Sequence, residues 1–95
     1  MATFFMFGKY TPEARREISV KRTQQAVEAI KKLGGEVMAM HALLGPYDLL
    51  FCITLPAIED AIKASLALST LTGISFTTCP AVTVEAFDEM AISAA

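Results

Sequence analysis

Hydrophobic and polar positions alternate along the chain in two different periods, and the switches between them mark its elements. Thr3 to Gly8 (TFFMFG) is an aromatic and apolar run closed by glycine. It predicts a strand buried on both faces, with Phe5 and Phe7 on one and Phe4 and Met6 on the other. Thr11-Pro12-Glu13 then reads as a helix start, with a capping hydroxyl, a proline at the first helical position and an acid in the first turn. Ser19 offers a second cap, so a break or an irregularity is expected between Arg16 and Ser19. Beyond it, a period of about 3.6 sets Val20, Thr23, Val27 and Ile30 on one stripe with Ala26 and Leu33 beside it. Lys21, Gln24, Glu28, Lys31 and Lys32 face outward, and Gly34-Gly35 ends the helix.

Glu36 to Leu44 and Tyr47 to Thr54 predict the second and third strands, joined as a β-hairpin that turns at Gly45-Pro46. Thr54-Leu55-Pro56 closes the third strand. A helix over about Ala57 to Leu71 follows, with Glu59 and Asp60 in its first turn. Its expected buried positions are Ile58, Ala61, Ile62, Ser65, Leu66 and Leu68, and Thr72-Gly73 ends it. Ile74 to Thr78 is the fourth strand, stopped by Pro80. Thr83 caps a short final helix containing Val84, Phe87 and Met90.

The order β-α-β-β-α-β plus a terminal helix predicts an α+β, ferredoxin-like fold. Right-handed crossovers give a four-stranded antiparallel sheet in the order 4-1-3-2 with its helices on one face. The two central strands are apolar on both faces, whereas a sheet with one wet face should alternate. The face without helices would expose a large apolar patch, which soluble monomers rarely tolerate. A homodimer through sheet faces is therefore expected.

Composition strengthens that expectation. A chain of 95 residues makes a single domain over 1–95, too small to hide its apolar supply alone. Here 54% of residues are hydrophobic and only 19% charged, against a usual quarter charged. Eight basic and ten acidic residues give a net charge of −2 without a basic run, which argues against nucleic acid as a partner. No uncharged apolar segment reaches membrane-spanning length, so no membrane association is expected, and the opening MATFFMFGKY lacks the basic region of a secretory signal. Cys52 and Cys79 form neither a CxxC motif nor a disulfide framework, and a reducing, cytoplasmic setting fits.

Candidate chemistry gathers at one end of the predicted sheet, where Lys9, Tyr10, His41, Tyr47, Asp48 and Ser75 should meet. If the turn pairs Leu44 with Tyr47, then Leu43 faces Asp48 and His41 faces Leu50. His41 and Asp48 are then diagonal neighbours on one face, roughly 7–8 Å apart by backbone. A carboxylate close to an imidazole favours the imidazolium form, a pairing usable for proton transfer. Lys9, Tyr10, His41, Tyr47 and Asp48 are thus the ligand-binding candidates, and His41, Tyr47 and Asp48 the catalytic ones.

Plainer roles are available for each. Asp48 can hold the turn by accepting from backbone amides; Tyr47 can plug a barrel end; Lys9 and Arg22 are most simply solvated, although Lys9 could pair with Asp48. Cys52 reads as a buried small hydrophobe and Cys79 as a more accessible one. Met6, Met38 and Met40 read as packing. Glu59 and Asp60 serve the helix dipole. A lone histidine is a poor metal site, and no phosphate loop, nucleophile elbow or HExxH pattern is present, so neither metal nor cofactor is expected.

Gly45-Pro46-Tyr47-Asp48 resembles the glycine-x-tyrosine-aspartate signature of the GYD domain family. Gly8-Lys9-Tyr10-Thr11, Gly34-Gly35-Glu36-Val37 and Pro80-Ala81-Val82 ahead of Phe87 are similar to that family too, so the likeness runs from Thr3 to about Ile92. The resemblance implies a prokaryotic dimeric α/β barrel and names no reaction. The favoured function is a homodimeric module, binding or regulatory, for a small apolar or amphipathic ligand. The alternative is a cofactor-independent enzyme like the dimeric α/β barrel monooxygenases and isomerases, using His41, Tyr47 and Asp48 around a pocket between sheet and helices. A third reading is a purely structural assembly module. A pocket lined by Phe5, Phe7, Met40 or Phe51, with His41 and Asp48 converging on it, would mark the enzyme. Asp48 spent on backbone amides would mark a binding or structural role.

Overall fold

The doubly apolar strand becomes the middle of a sheet. The structure is a computed structural model describing residues 1–94. Its elements are β1 (Ala2–Lys9), α1 (Pro12–Arg16), α2 (Val20–Lys32), β2 (Glu36–Ala42), β3 (Leu49–Leu55), α3 (Ile58–Thr72), β4 (Ser75–Ala81) and α4 (Val84–Ala94). The sheet runs β2-β3-β1-β4 with every neighbouring pair antiparallel. This is the expected ferredoxin-like topology written from its other edge.

Thr11 caps α1 by accepting from the Ala14 N–H, and Ser19 caps α2 by accepting from the Arg22 N–H. Two competent caps eight positions apart produce two helices, with the break where it was expected. The carboxylate of Asp60 accepts from the Ala57 N–H at 3.1 Å at the start of α3, a capping bond beyond the dipole role read from its position.

The core lies between the sheet and α2 with α3. Phe4 and Met6 of β1, Phe51, Ile53 and Leu55 of β3, Ala26 and Ile30 of α2, and Ala61, Ala64 and Leu68 of α3 form one buried cluster. Both helices meet the sheet through small residues flanked by a single large one, so the layers approach closely. A side-chain bond of 2.6 Å between Ser65 and Thr78 ties α3 to the edge strand β4.

Three expectations are corrected. α3 turns Ala61, Ala64, Leu68 and Thr72 inward, leaving Ile58, Ile62 and Leu66 at 56%, 58% and 66% exposure. Those three sit at i, i+4 and i+8 and form a second stripe that the first excludes. Val20 is likewise outward, at 76%, because α2 packs through Ala26 and Ile30. β4 continues through Pro80, which pairs with Phe4; β4 is a sheet edge, where a missing N–H removes no ladder bond on the solvent side.

The opposite face of the sheet carries Phe5 and Phe7 from β1, and Leu50 and Cys52 from β3, in register as Phe5↔Cys52 and Phe7↔Leu50. These positions alternate with the buried ones, and none belongs to the helix-side core. Ala39 and Cys79 extend this face sideways, opposite Cys52 and Phe5, while Glu36, Thr54, His41 and Thr77 lie toward its ends. An apolar centre with polar groups only toward its margins is the anatomy of an association surface.

α4 stands apart. None of its residues is buried, no other element packs extensively against it, and Phe87 and Met90 are exposed. The radius of gyration is 14.4 Å and the longest dimension 49 Å, against a radius of about 13 Å for a compact chain of about 100 residues. A projecting helix of this length, at 1.5 Å per residue, accounts for the excess.

Candidate functional site

The hairpin that opens the site is longer than the two-residue turn predicted from Gly45-Pro46. β2 ends at Ala42 and β3 begins at Leu49, with the ladder's last bond from the Leu43 N–H to the Asp48 carbonyl, 2.8 Å. The predicted register nevertheless holds, since His41 pairs with Leu50. Gly45 has φ 136°, a conformation that side chains rarely adopt. The loop widens because Asp48 is drawn across to β1. Its N–H donates to the Gly8 carbonyl at 2.8 Å, and its carboxylate accepts from the Tyr10 N–H at 2.8 Å.

That second bond ties the signature to the rest of the molecule. Tyr10 follows β1, where the ladder has run out, and its amide would otherwise lack a partner. With its backbone pinned by Asp48, the Tyr10 ring lies under the guanidinium of Arg22, 5.9 Å from the ring centroid. Arg22 also donates to the Ala14 carbonyl of α1 at 2.6 Å. One acid in a hairpin thereby orders a tyrosine, an arginine from α2 and the end of α1. We predict that Asp48→Ala lowers unfolding stability by about 1.5–3 kcal/mol, the usual worth of a hydrogen bond to a charged group, and Asp48→Asn by less. Urea denaturation measures it, and a change within about 0.5 kcal/mol for both variants would show that the Tyr10 amide needs no such partner.

Beside these residues, a cavity of about 150 Å³ opens between α2 and the helix-side face of the sheet. Ala26, Met40, Leu49, Phe51, Ile74 and Phe76 give it an apolar floor. Tyr10, Arg22, Thr23, Thr72, Ile18 and the β2 segment through His41 and Ala42 complete its walls. Phe51 and Phe76 pack at 5.6 Å between ring centroids. Thr72 is buried, donating to the Leu68 carbonyl and accepting from the Ile74 N–H.

Of the residues picked out from the sequence, Tyr10 and His41 border this cavity, and Lys9, Tyr47 and Asp48 do not. Tyr47 instead packs on Phe7, 5.1 Å between ring centroids, on the face of the sheet turned away from the helices. Lys9 pairs with Ser75 at the end of β1. His41, by its pairing with Leu50, belongs to that outer face and meets the cavity only at its rim. Met40 and Phe51 line the cavity as the enzyme reading requires, but Phe5 and Phe7 lie on the other side of the sheet, and Asp48 is committed to a backbone amide. His41, Tyr47 and Asp48 therefore do not converge on a pocket between sheet and helices.

Arg22, Ile18 and Thr23 were not among the predicted site residues. Arg22 read as one more solvated cation on a helix, and only its distance from Tyr10 across the fold reveals its place. Among the described residues, no group of three His, Cys, Asp or Glu side chains is arranged to hold a metal ion. No helix among them is long and apolar enough to cross a membrane.

Solved structures similar to this fold include the following two. It superposes with a TM-score of 0.58 on a leucine response regulatory protein, LrpA, from Mycobacterium tuberculosis, at 7% identity, over 86% of this chain and 51% of that one. The chain thus spans about half the length of that protein, and the likeness is one of fold. It superposes equally, at 0.58, on TTHA0845 from Thermus thermophilus, at 25% identity, over 87% of this chain and 95% of that one. No curated protein matches the sequence. The GYD domain model matches residues 4–91, from the centre of β1 into α4, and the chain belongs to the GYD domain family.

Proposed function

We propose that the protein is a homodimeric binding module that takes a small molecule into the cavity between α2 and the sheet and serves a regulatory rather than catalytic role. The observation that carries this reading is the cavity itself: a mostly apolar pocket with a few placed polar groups is the usual form of a small-molecule site. Asp48 supports it by being engaged in holding Tyr10 instead of standing free for proton transfer. The neighbour named as a leucine response regulatory protein accords with a regulatory role for the fold. A reducing cytoplasm accords with Cys52 and Cys79, both free thiols.

The dimer in this reading covers the outer face of the sheet, where Phe5, Phe7, Leu50 and Cys52 are joined by Tyr47. A second copy also supplies a surface for α4, whose Phe87 and Met90 find no cover in their own chain. Two-dimensional NMR with a set of small neutral and charged fragments tests the binding site. Expected are saturable amide shifts at Tyr10, Arg22, Met40 and Phe76, together with a melting temperature that rises with ligand concentration. A fragment at about 100 times its Kd should add about 2.7 kcal/mol of stability. Shifts confined to the hairpin tip or α4, with those four residues silent across the set, would refute the cavity as the site.

A further inference from the structure

We propose that the cavity's ligand is a small monocarboxylate, with a branched-aliphatic or single-ring body on the apolar floor and its carboxylate received by Arg22. This rests on the cavity being the binding site and adds the chemistry of what enters it.

The charge around the cavity is one-sided. No aspartate or glutamate lines it, and Arg22 is its lysine-or-arginine cation, with His41 at the rim. Arg22 is half-buried and has no carboxylate partner: the sole ion pair among the described residues is Lys31 with Glu28, on the outer side of α2. A guanidinium carries five N–H donors in a planar fork. The Ala14 carbonyl takes a bond from one end of it, through Nη1, and the Tyr10 ring lies against its face. Those contacts hold the group in place without neutralising it. A partly desolvated, pre-positioned guanidinium with donors to spare is matched best by a carboxylate, which it can bind through two parallel bonds. Arg22 also sits in the first turn of α2, where the helix dipole adds to the positive potential.

Size and polarity narrow the rest of the molecule. An apolar cavity of about 150 Å³ accommodates benzene, so the body is one ring or a short branched chain. An α-ammonium group would find no acid among the lining residues. The site therefore favours a simple carboxylic acid over the zwitterionic amino acid with the same side chain.

Isosteric pairs test this: benzoate against benzamide, and 4-methylpentanoate against 4-methylpentanamide, with leucine as the zwitterion. Each is titrated into the wild-type chain, Arg22→Lys and Arg22→Gln, following the amides of Met40 and Phe76. Each acid should bind roughly ten- to a hundred-fold more tightly than its amide to the wild type, the worth of a charge-assisted bond, and more tightly than leucine. The preference should shrink in Arg22→Lys, which keeps the charge and loses the fork, and vanish in Arg22→Gln. Loosening of α1 through the lost Ala14 contact would weaken acid and amide alike and leave their ratio intact, so an unchanged ratio in Arg22→Gln overturns the assignment to Arg22. Should that variant not fold, the wild-type and Arg22→Lys ratios decide. Equal binding of acid and amide by the wild type overturns the ligand class while leaving the cavity as a binding site. Silence of Met40 and Phe76 toward every probe removes the site and the proposal together.

Discussion

Gly35→Ala is expected to destabilise the fold by roughly 3 kcal/mol or more, at or above the upper end of ordinary overpacking. A Cβ built at Gly35 would lie 2.3 Å from the Thr54 carbonyl oxygen and 2.5 Å from Cδ2 of Leu55. The first of these is backbone of a central strand, and the second belongs to a fully buried side chain. Neither can swing aside, so relief must come from parting β2 from β3 or shifting the end of α2. The second route is opposed by the bond from the Gly35 N–H to the Ile30 carbonyl at 3.2 Å, which closes that helix. For a chain of this length, whose total stability is about 5–14 kcal/mol at the usual value per residue, the loss is a large fraction. Gly45→Ala makes the contrast, since a Cβ there meets nothing within 4 Å and the cost is only that of its φ, about 1–3 kcal/mol. Urea unfolding of both variants measures the difference. A Gly35→Ala variant within about 1 kcal/mol of wild type would mean that the end of α2 and the β2–β3 pair are not so tightly joined.

Close packing of another layer, α3 on the sheet, explains why the fold was legible in the sequence while its packing faces were not. Strand and helix identities follow from local signals: the doubly apolar TFFMFG, the caps at Thr11 and Ser19, the Gly34-Gly35 pair and the hairpin. Their order leaves few topologies, and the register at His41 and Leu50 followed from the hairpin alone. Which stripe of α3 faces the sheet is different. Ile58, Ile62 and Leu66 outweigh Ala61, Ala64 and Leu68 in hydrophobicity, so a ranking by side chain selects the wrong face. The choice is set by how near α3 must come to β4 and the central strands to fill the core, and small residues win where the gap is narrow. That distance is a property of the assembled sheet, with no counterpart in a local window.

The site divides along the same line. Asp48 carried a local signature, and its role as an acceptor for a backbone amide was among the readings open from sequence. Its partner, the amide of Tyr10, lies 38 positions away and could be placed only at the same end of the sheet. Arg22 reads from sequence as solvated, because charge on an amphipathic helix ordinarily is. Two features could have raised its standing. It occupies the first helical turn, where a cation is unfavourable to the dipole, and it lies three positions after a capping serine, close to the break that brings α1 against α2.

Leu50→Glu is expected to abolish the proposed dimer, weakening association by about a thousand-fold or more, while leaving each chain folded. Leu50 lies on β3, one of the two central strands, between His41 on β2 and Phe7 on β1, so a partner laid on the sheet must cover it whatever the angle between the two sheets. Two-fold symmetry buries the substitution twice. An unpaired carboxylate costs several kcal/mol to bury, and about 4 kcal/mol is a thousand-fold in Kd. Within the monomer the cost is small, because Leu50 faces away from the helix-side core and its neighbour Phe7 keeps the Tyr47 ring. Sedimentation velocity across a concentration series should show wild type as a dimer and Leu50→Glu as a monomer with near-native circular dichroism. Phe87→Glu in α4 serves as the second arm: if association rests on α4 alone, this variant dissociates and Leu50→Glu does not. Wild type that sediments as a single chain at high concentration would leave Phe5, Phe7 and Leu50 as an uncovered apolar face, and strands apolar on both sides would then not require a second copy.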